Sequence, residues 1–144
     1  MATNATSRAL ERLVFAGVAL TSRALAEATP GLELTVPQWR ALVVLGESSD
    51  GAWVSEVAAR VGGSLPGTSR LLRRLERRGL VSARQDERDH RATRVRLTPE
   101  GREVRHAIVE YRRRVIRKVA RAATPSLELT AELERLASAI AEVL

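Results

Sequence analysis

The sequence contains no cysteine. That excludes disulfides, thiolate zinc sites and thiol redox sensing within the chain, and allows a reducing compartment. Histidine is scarce as well: His90 and His106 are the only two. They offer no metal-ligand spacing, so no metal site is expected. A glycine loop that could cradle phosphate, a cysteine nucleophile and a convincing Ser-His-acid constellation are all missing. The enzyme reading therefore lacks its parts, and no cofactor is expected. Long hydrophobic runs are absent too. The most apolar early stretch, Leu13 to Leu20, is short and flanked by Glu11, Arg12 and Arg23. It has the layout of neither a signal peptide nor a membrane span, so the expectation is a soluble, cytoplasmic protein with no membrane partner.

Lysine is nearly missing: of 24 lysine and arginine side chains only Lys118 is a lysine. Against 17 acidic residues they give a net charge of +7, and the isoelectric point is near 11.3. Such a balance points to a polyanionic partner. Arginine abundance also follows codon usage, so placement counts for more than number. The length of 144 residues fits one domain or one lobed unit with a real core.

Placement is most informative between residues 64 and 98. At about 100° per residue, Thr68, Leu71, Leu72, Leu75 and Gly79 form one narrow apolar stripe. Pro66, Arg70, Arg73, Arg74, Arg77 and Arg78 fall on the other side. Glu76 belongs to neither cluster. A cationic outer face suits a helix lying among phosphates and guanine edges, although a solvated amphipathic helix shows the same pattern. The neighbouring segments decide.

Residues 7 to 28 place Leu10, Leu13, Val14, Gly17, Leu20, Thr21, Ala24 and Leu25 at helical steps, ended by Pro30-Gly31. Thr35 and Gln38 have capping-box spacing, with Pro37 in the first turn of a second helix that carries Trp39, Leu42, Val43 and Leu45 inward. Ala52 to Val54 reads as a short strand. Ser55 is placed to cap a third helix, Glu56 to Val61, and Gly62-Gly63 stop it. Ser64 caps the arginine-faced helix. Helix, glycine turn and helix within residues 55 to 78 is helix-turn-helix spacing.

Beyond it, Val81, Ala83 and Gln85 alternate with Ser82 and Arg84, and Thr93, Val95 and Leu97 alternate with Arg94 and Arg96, as in two half-buried strands. Such a hairpin after a recognition helix is a wing whose tip can reach a minor groove. Thr98-Pro99-Glu100 starts a long helix to about Ala123, broken by Thr124-Pro125. Thr130 is placed to cap a last helix with the stripe Leu133, Leu136, Ala137, Ile140 and Leu144. The first and the last two helices carry apolar faces that a small central lobe cannot cover. They pack either across a dimer axis, the preferred solution, or in an intramolecular three-helix cluster.

These segments, TVPQWRALVVL, SEVAARV, LERRGLV, DERDHRATRVRLTPEG and ELTAELERL, resemble the MarR family of winged-helix bacterial transcription regulators. The resemblance covers nearly all of the chain. Its most specific part is Asp89-His90-Arg91 before Leu97-Thr98 and the PEG helix start; Asp86-Glu87-Arg88 repeats the pattern. It implies a mainly α fold of about six helices with a two- or three-stranded wing, a winged helix-turn-helix lobe over residues 35–99, and dimerisation helices over 1–34 and 100–144. It also implies a homodimer that binds double-stranded DNA at a pseudo-palindromic operator, usually as a repressor.

By position, Ser64, Pro66, Gly67, Thr68, Ser69, Arg70 and Arg73 would face the major groove or its flanking phosphates. Arg70 is the leading candidate for a guanine contact, and Thr68 is equally suited to packing. Arg74, Arg77 and Arg78 would touch phosphate or solvent. In the wing, Arg91 would enter the minor groove, Asp89 would hold it, and Arg88 and Arg94 would meet the backbone. Family members often lose DNA affinity when a small aromatic or phenolic compound binds. The cleft for it would draw on Trp39, Arg40, His106 and Tyr111, each of which also fits a plain structural role. The rival from another class is an architectural protein that coats DNA without sequence choice.

Overall fold

A computed structural model describes residues 2–86 and 92–143. The chain divides into two compact units, Met1–Arg112 and Arg113–Leu144. The elements of the described residues are helices α1 (Ala2–Ala28) and α2 (Val36–Leu45), strand β1 (Ala52–Trp53), helices α3 (Val54–Val61) and α4 (Leu65–Arg77), strands β2 (Val81–Gln85) and β3 (Thr93–Leu97), and helices α5 (Pro99–Ala122) and α6 (Leu127–Val143). The strands form one antiparallel sheet in the order β1-β3-β2. This is a mainly helical winged helix-turn-helix fold, with the third strand supplied by Ala52 and Trp53.

In the first unit the apolar stripes converge on one core. Ala24 and Leu25 of α1, Trp39, Leu42 and Leu45 of α2, Val57 of α3, Leu72 and Leu75 of α4, Val81, Val95 and Leu97 of the sheet, and Ile108 of α5 are all buried in it. At about 25 cal/mol per Å² of apolar surface removed from water, these side chains supply the main driving force for folding. The Thr35 capping box forms as its spacing predicts. The Thr35 side chain accepts from the Gln38 N–H, and the Gln38 side chain accepts from the Thr35 N–H at 3.0 Å. In the second unit every described side chain other than Val115 and Leu136 is exposed.

Several local expectations are corrected. α1 starts at Ala2, ahead of residue 7, since nothing between them breaks a helix and alanine favours one. Ser55 lies inside α3. The N-cap position belongs to Trp53, whose N–H is accepted by the Glu56 carboxylate at 2.7 Å. Ser126, not Thr130, caps α6: its hydroxyl accepts from the Leu129 N–H at 3.0 Å, while the Thr130 hydroxyl donates back to the Ser126 carbonyl. Both residues are competent caps, and the helix takes the earlier one. Gly79 is not on the α4 stripe. It takes a φ of +71° just past the helix end and is exposed, which is the left-handed stop that glycine adopts without Cβ strain. In β2 only Val81 is buried; Ala83 and Gln85 are exposed, because the hairpin extends beyond the core.

Candidate nucleic-acid interface

α4 is held at both ends and along one side. At its start the Ser64 hydroxyl accepts from the Gly67 N–H at 3.2 Å, and Pro66 sits in the first turn, where no N–H is needed. At its end the Leu80 N–H reaches back to the Leu75 carbonyl at 3.0 Å. Along its length Thr68, Leu72 and Leu75 are buried. Thr68 is only 3% exposed, and its hydroxyl lies against Gly63. Packing is therefore its role in the structure. Ser69 and Gly67 are half-buried.

The opposite side of α4 is the cationic one. Arg70, Arg73, Arg74 and Arg77 are exposed and make no hydrogen bond or ion pair with described residues. Arg70 and Arg74 edge a groove of about 250 Å³ together with Thr35, Pro37 and Gln38 at the start of α2. Four exposed guanidiniums with no acceptor among the described residues present many donors in one array. Phosphate oxygens and guanine O6/N7 are the acceptors such an array fits. Arg78 differs: its Nη1 donates to the Leu32 carbonyl at 2.8 Å, which ties the end of α4 to the α1–α2 connection.

Glu76, to which the sequence assigns no role, and Thr98, expected at the start of α5, join the wing and α5 to this helix. The Glu76 carboxylate accepts from the Ala83 N–H at 3.0 Å. An acid on an otherwise cationic helix is thus the anchor of β2. The Thr98 hydroxyl donates to the Gly79 carbonyl at 2.6 Å and accepts from the Gly101 N–H at 3.0 Å. It caps α5 and joins it to the turn after α4. At Gly101 a Cβ would lie 1.9 Å from the Leu80 carbonyl oxygen, so only glycine allows this approach.

In the wing, Arg88, Asp89 and Arg91 lie outside the described residues. Arg94 is half-buried. Its guanidinium stacks 4.3 Å from the centre of the Trp53 ring, a cation–π contact, and its Nη1 donates to the Asp50 carbonyl at 3.5 Å.

The four residues expected to line an effector cleft differ in their surroundings. Trp39 is 3% exposed and belongs to the core. Arg40 is exposed and donates to the Arg60 carbonyl at 3.2 Å, and His106 is exposed on α5. Tyr111 donates its hydroxyl proton to the Glu27 carboxylate at 2.6 Å. Glu27 also pairs with Arg23 at 2.6 Å; that hydrogen bond pushes the Arg23 guanidinium pKa further up. The contact of Glu27 with Tyr111 has no signal in the sequence, since the two are 84 residues apart. A separate cavity of about 140 Å³ lies between α4 and the wing, lined by Ser69, Leu72, Arg73 and Glu76 with Val81 and Val95 among others.

Among known proteins, residues 32–92 match the MarR family. A curated relative, the uncharacterized HTH-type transcriptional regulator YfiV of Bacillus subtilis (strain 168), is 33% identical over 79 residues, 55% of this chain and 49% of the relative. The chain thus matches about half the length of that relative. The crystal structure of RV1404 from Mycobacterium tuberculosis superposes with a TM-score of 0.82 at 23% identity, covering 96% of this chain and 94% of that one. FabT of Streptococcus pneumoniae, solved in complex with DNA, gives 0.78 at 18% identity with 96% of each chain covered. The PcaV transcriptional regulator of Streptomyces coelicolor, solved with its natural ligand, gives 0.69 at 26% identity, covering 94% of this chain and 91% of that one.

Proposed function

We propose that the chain is a winged-helix transcriptional regulator of the MarR family, which residues 32–92 match, and that it is a homodimeric repressor reading a pseudo-palindromic operator in double-stranded DNA through α4. The observation that carries the reading is the row of four exposed arginines with no acceptor among the described residues, Arg70, Arg73, Arg74 and Arg77, on a helix whose other face is locked into the core. In this reading Arg70 and Arg73 meet base edges and Arg74 and Arg77 meet phosphate. Ser64, Pro66, Gly67 and Ser69, at the start of the same helix, line the groove side of the contact. The wing tip, with Arg88, Asp89 and Arg91, supplies the minor-groove contact. The dimer is built by residues 1–34 and 100–144, with the lobe 35–99 on the DNA. Supporting it, Leu13, Val14, Phe15 and Val18 are exposed on α1, a patch that calls for a partner surface.

Release by a small aromatic or phenolic compound is the remaining part of the reading, and Trp39, Arg40, His106 and Tyr111 are its candidate contacts. It draws support from the ligand-bound PcaV structure. Tyr111 lies beside the Glu27 carboxylate, an acceptor that a ligand could displace.

The test is a fluorescence-anisotropy titration at near-physiological salt with the duplex upstream of the protein's own gene and a scrambled duplex of equal composition. Binding at least about 10³-fold tighter to the natural duplex is expected of a specific reader. Equal affinity for the two, falling with salt along one slope, would replace the regulator by the coating protein.

A further inference from the structure

The first turn of α4 has few side chains that hydrogen-bond. The Ser64 hydroxyl is engaged as the cap, accepting from the Gly67 N–H. Pro66 is apolar and lacks an N–H, Gly67 has no side chain, and Thr68 is buried. The first charged residue of the helix is Arg70. What the turn presents instead is Leu65, the first residue of α4, at 53% exposure.

A single exposed leucine is ordinary on a protein surface. The place of this one is not. Leu65 stands three and seven residues before Thr68 and Leu72, which are both buried, so it begins the stripe that packs on the core, and the core stops short of it. The proposed dimer surface does not cover it either. Among the described residues the exposed large apolar side chains lie on α1, α5 and α6, apart from Val36 and Leu65, the first residues of α2 and α4. A helical side chain leans toward the N-terminal end of its helix. On the first residue that direction leads off the end, to whatever the helix end faces.

We propose that Leu65 is a specificity-determining residue that packs on the C5-methyl group of a thymine in the major groove, a role that rests on α4 being the DNA-reading helix. A helix of that kind enters the groove by its N-terminal end, and Leu65 is at that tip. Thymine is the one base whose major-groove edge carries an apolar group. Burying that methyl against the leucine is worth about fourfold in affinity per half-site. Leu65 and Arg70 are five residues apart, about 7.5 Å along the helix axis. The thymine therefore lies roughly two base-pair steps from the guanine that Arg70 takes.

Deoxyuridine differs from thymidine by that methyl alone, so exchanging one for the other tests the contact itself. Duplexes carrying the inverted repeat selected by the protein are made with deoxyuridine at each thymine in turn, in both half-sites. They are titrated by fluorescence anisotropy with the wild-type protein and with Leu65→Ala. Alanine favours a helix and the site is exposed, so the variant keeps the fold. In the wild type one position should respond, by about fourfold per half-site. It should lie about two base pairs from the position where Arg70→Ala relaxes preference. In Leu65→Ala the same exchange should cost less than about twofold, the usual error of additivity.

A methyl dependence of equal size in both proteins overturns the role of Leu65 and leaves α4 as the reading helix. So does a selected half-site with no responsive thymine. If Leu65→Ala lowers the urea midpoint while the methyl dependence stays, Leu65 is a packing residue. Equal binding of selected and scrambled duplexes is a different failure: it removes sequence reading by α4, and the role of Leu65 with it.

Discussion

Arg70 and Arg77 differ in where they stand on one helix. Arg70 lies in the first half of α4 beside Gly67 and the start of α2, whereas Arg77 is its last residue. A helix that enters a groove by its N-terminal end places the first among bases and the second near phosphate. Arg70→Ala should therefore cost about 1–3 kcal/mol on the natural operator and relax preference at one base position, while Arg77→Ala weakens all duplexes alike. Anisotropy titrations of both variants on specific and random duplex check this, and equal losses on the two duplexes for Arg70→Ala would remove its base-reading role. A different residue-level effect is expected at Gly101. With its Cβ site 1.9 Å from the Leu80 carbonyl oxygen, Gly101→Ala must push α5 from the end of α4, at a cost of about 1–3 kcal/mol. Urea unfolding measures it, and an unchanged midpoint would contradict the close approach.

At the scale of elements, what the sequence reveals is what is encoded locally. The amphipathic period of α4, the Thr35 and Ser64 caps, the glycine stop and the Pro99 start all rest on residues within one or two turns of each other. They are legible for that reason. Ser126 and Thr130 satisfy the same local rule, so the sequence alone does not choose between them as the start of α6. The alternation at Ala83 and Gln85 predicts burial, yet both are exposed, because whether a strand meets a core depends on what packs beside it.

The ties between elements were invisible for the same reason. Glu76 looked like an exception on a basic helix, and only the placement of β2 turns it into an acceptor for Ala83. Glu76→Ala should cost about 1 kcal/mol, a typical net value for one hydrogen bond, and should speed hydrogen exchange at the Ala83 amide. Exchange at Val95, in the middle of the sheet, should change less. Equal acceleration at both would mean that Glu76 supports the whole sheet rather than one edge. Of the proposed interface, the α4 arginines and their exposure were legible. The engagement of Arg94 with Trp53 was not, since it depends on β1 joining the sheet.

The whole molecule exposes more apolar surface than its core explains. Phe15 is 77% exposed on α1, and in the second unit Leu127 reaches 91%. Burying one phenylalanine is worth roughly 1.5–3 kcal/mol, so a two-fold interface that covers Phe15 twice gains from it twice. Phe15→Asp should shift the protein from dimer toward monomer in sedimentation velocity. It should also weaken operator binding while leaving the helical signal of the fold intact. A dimer that withstands this change would move the interface away from that part of α1.

The central claim is that two copies of this chain read DNA sequence through α4. It is tested most directly by selecting duplexes from a random pool with the purified protein, at near-physiological salt and with excess competitor DNA. The account predicts an enriched inverted repeat whose half-sites lie about one helical turn, ~34–36 Å, apart. Retained binding with no enriched motif, fading smoothly as salt rises, would contradict it.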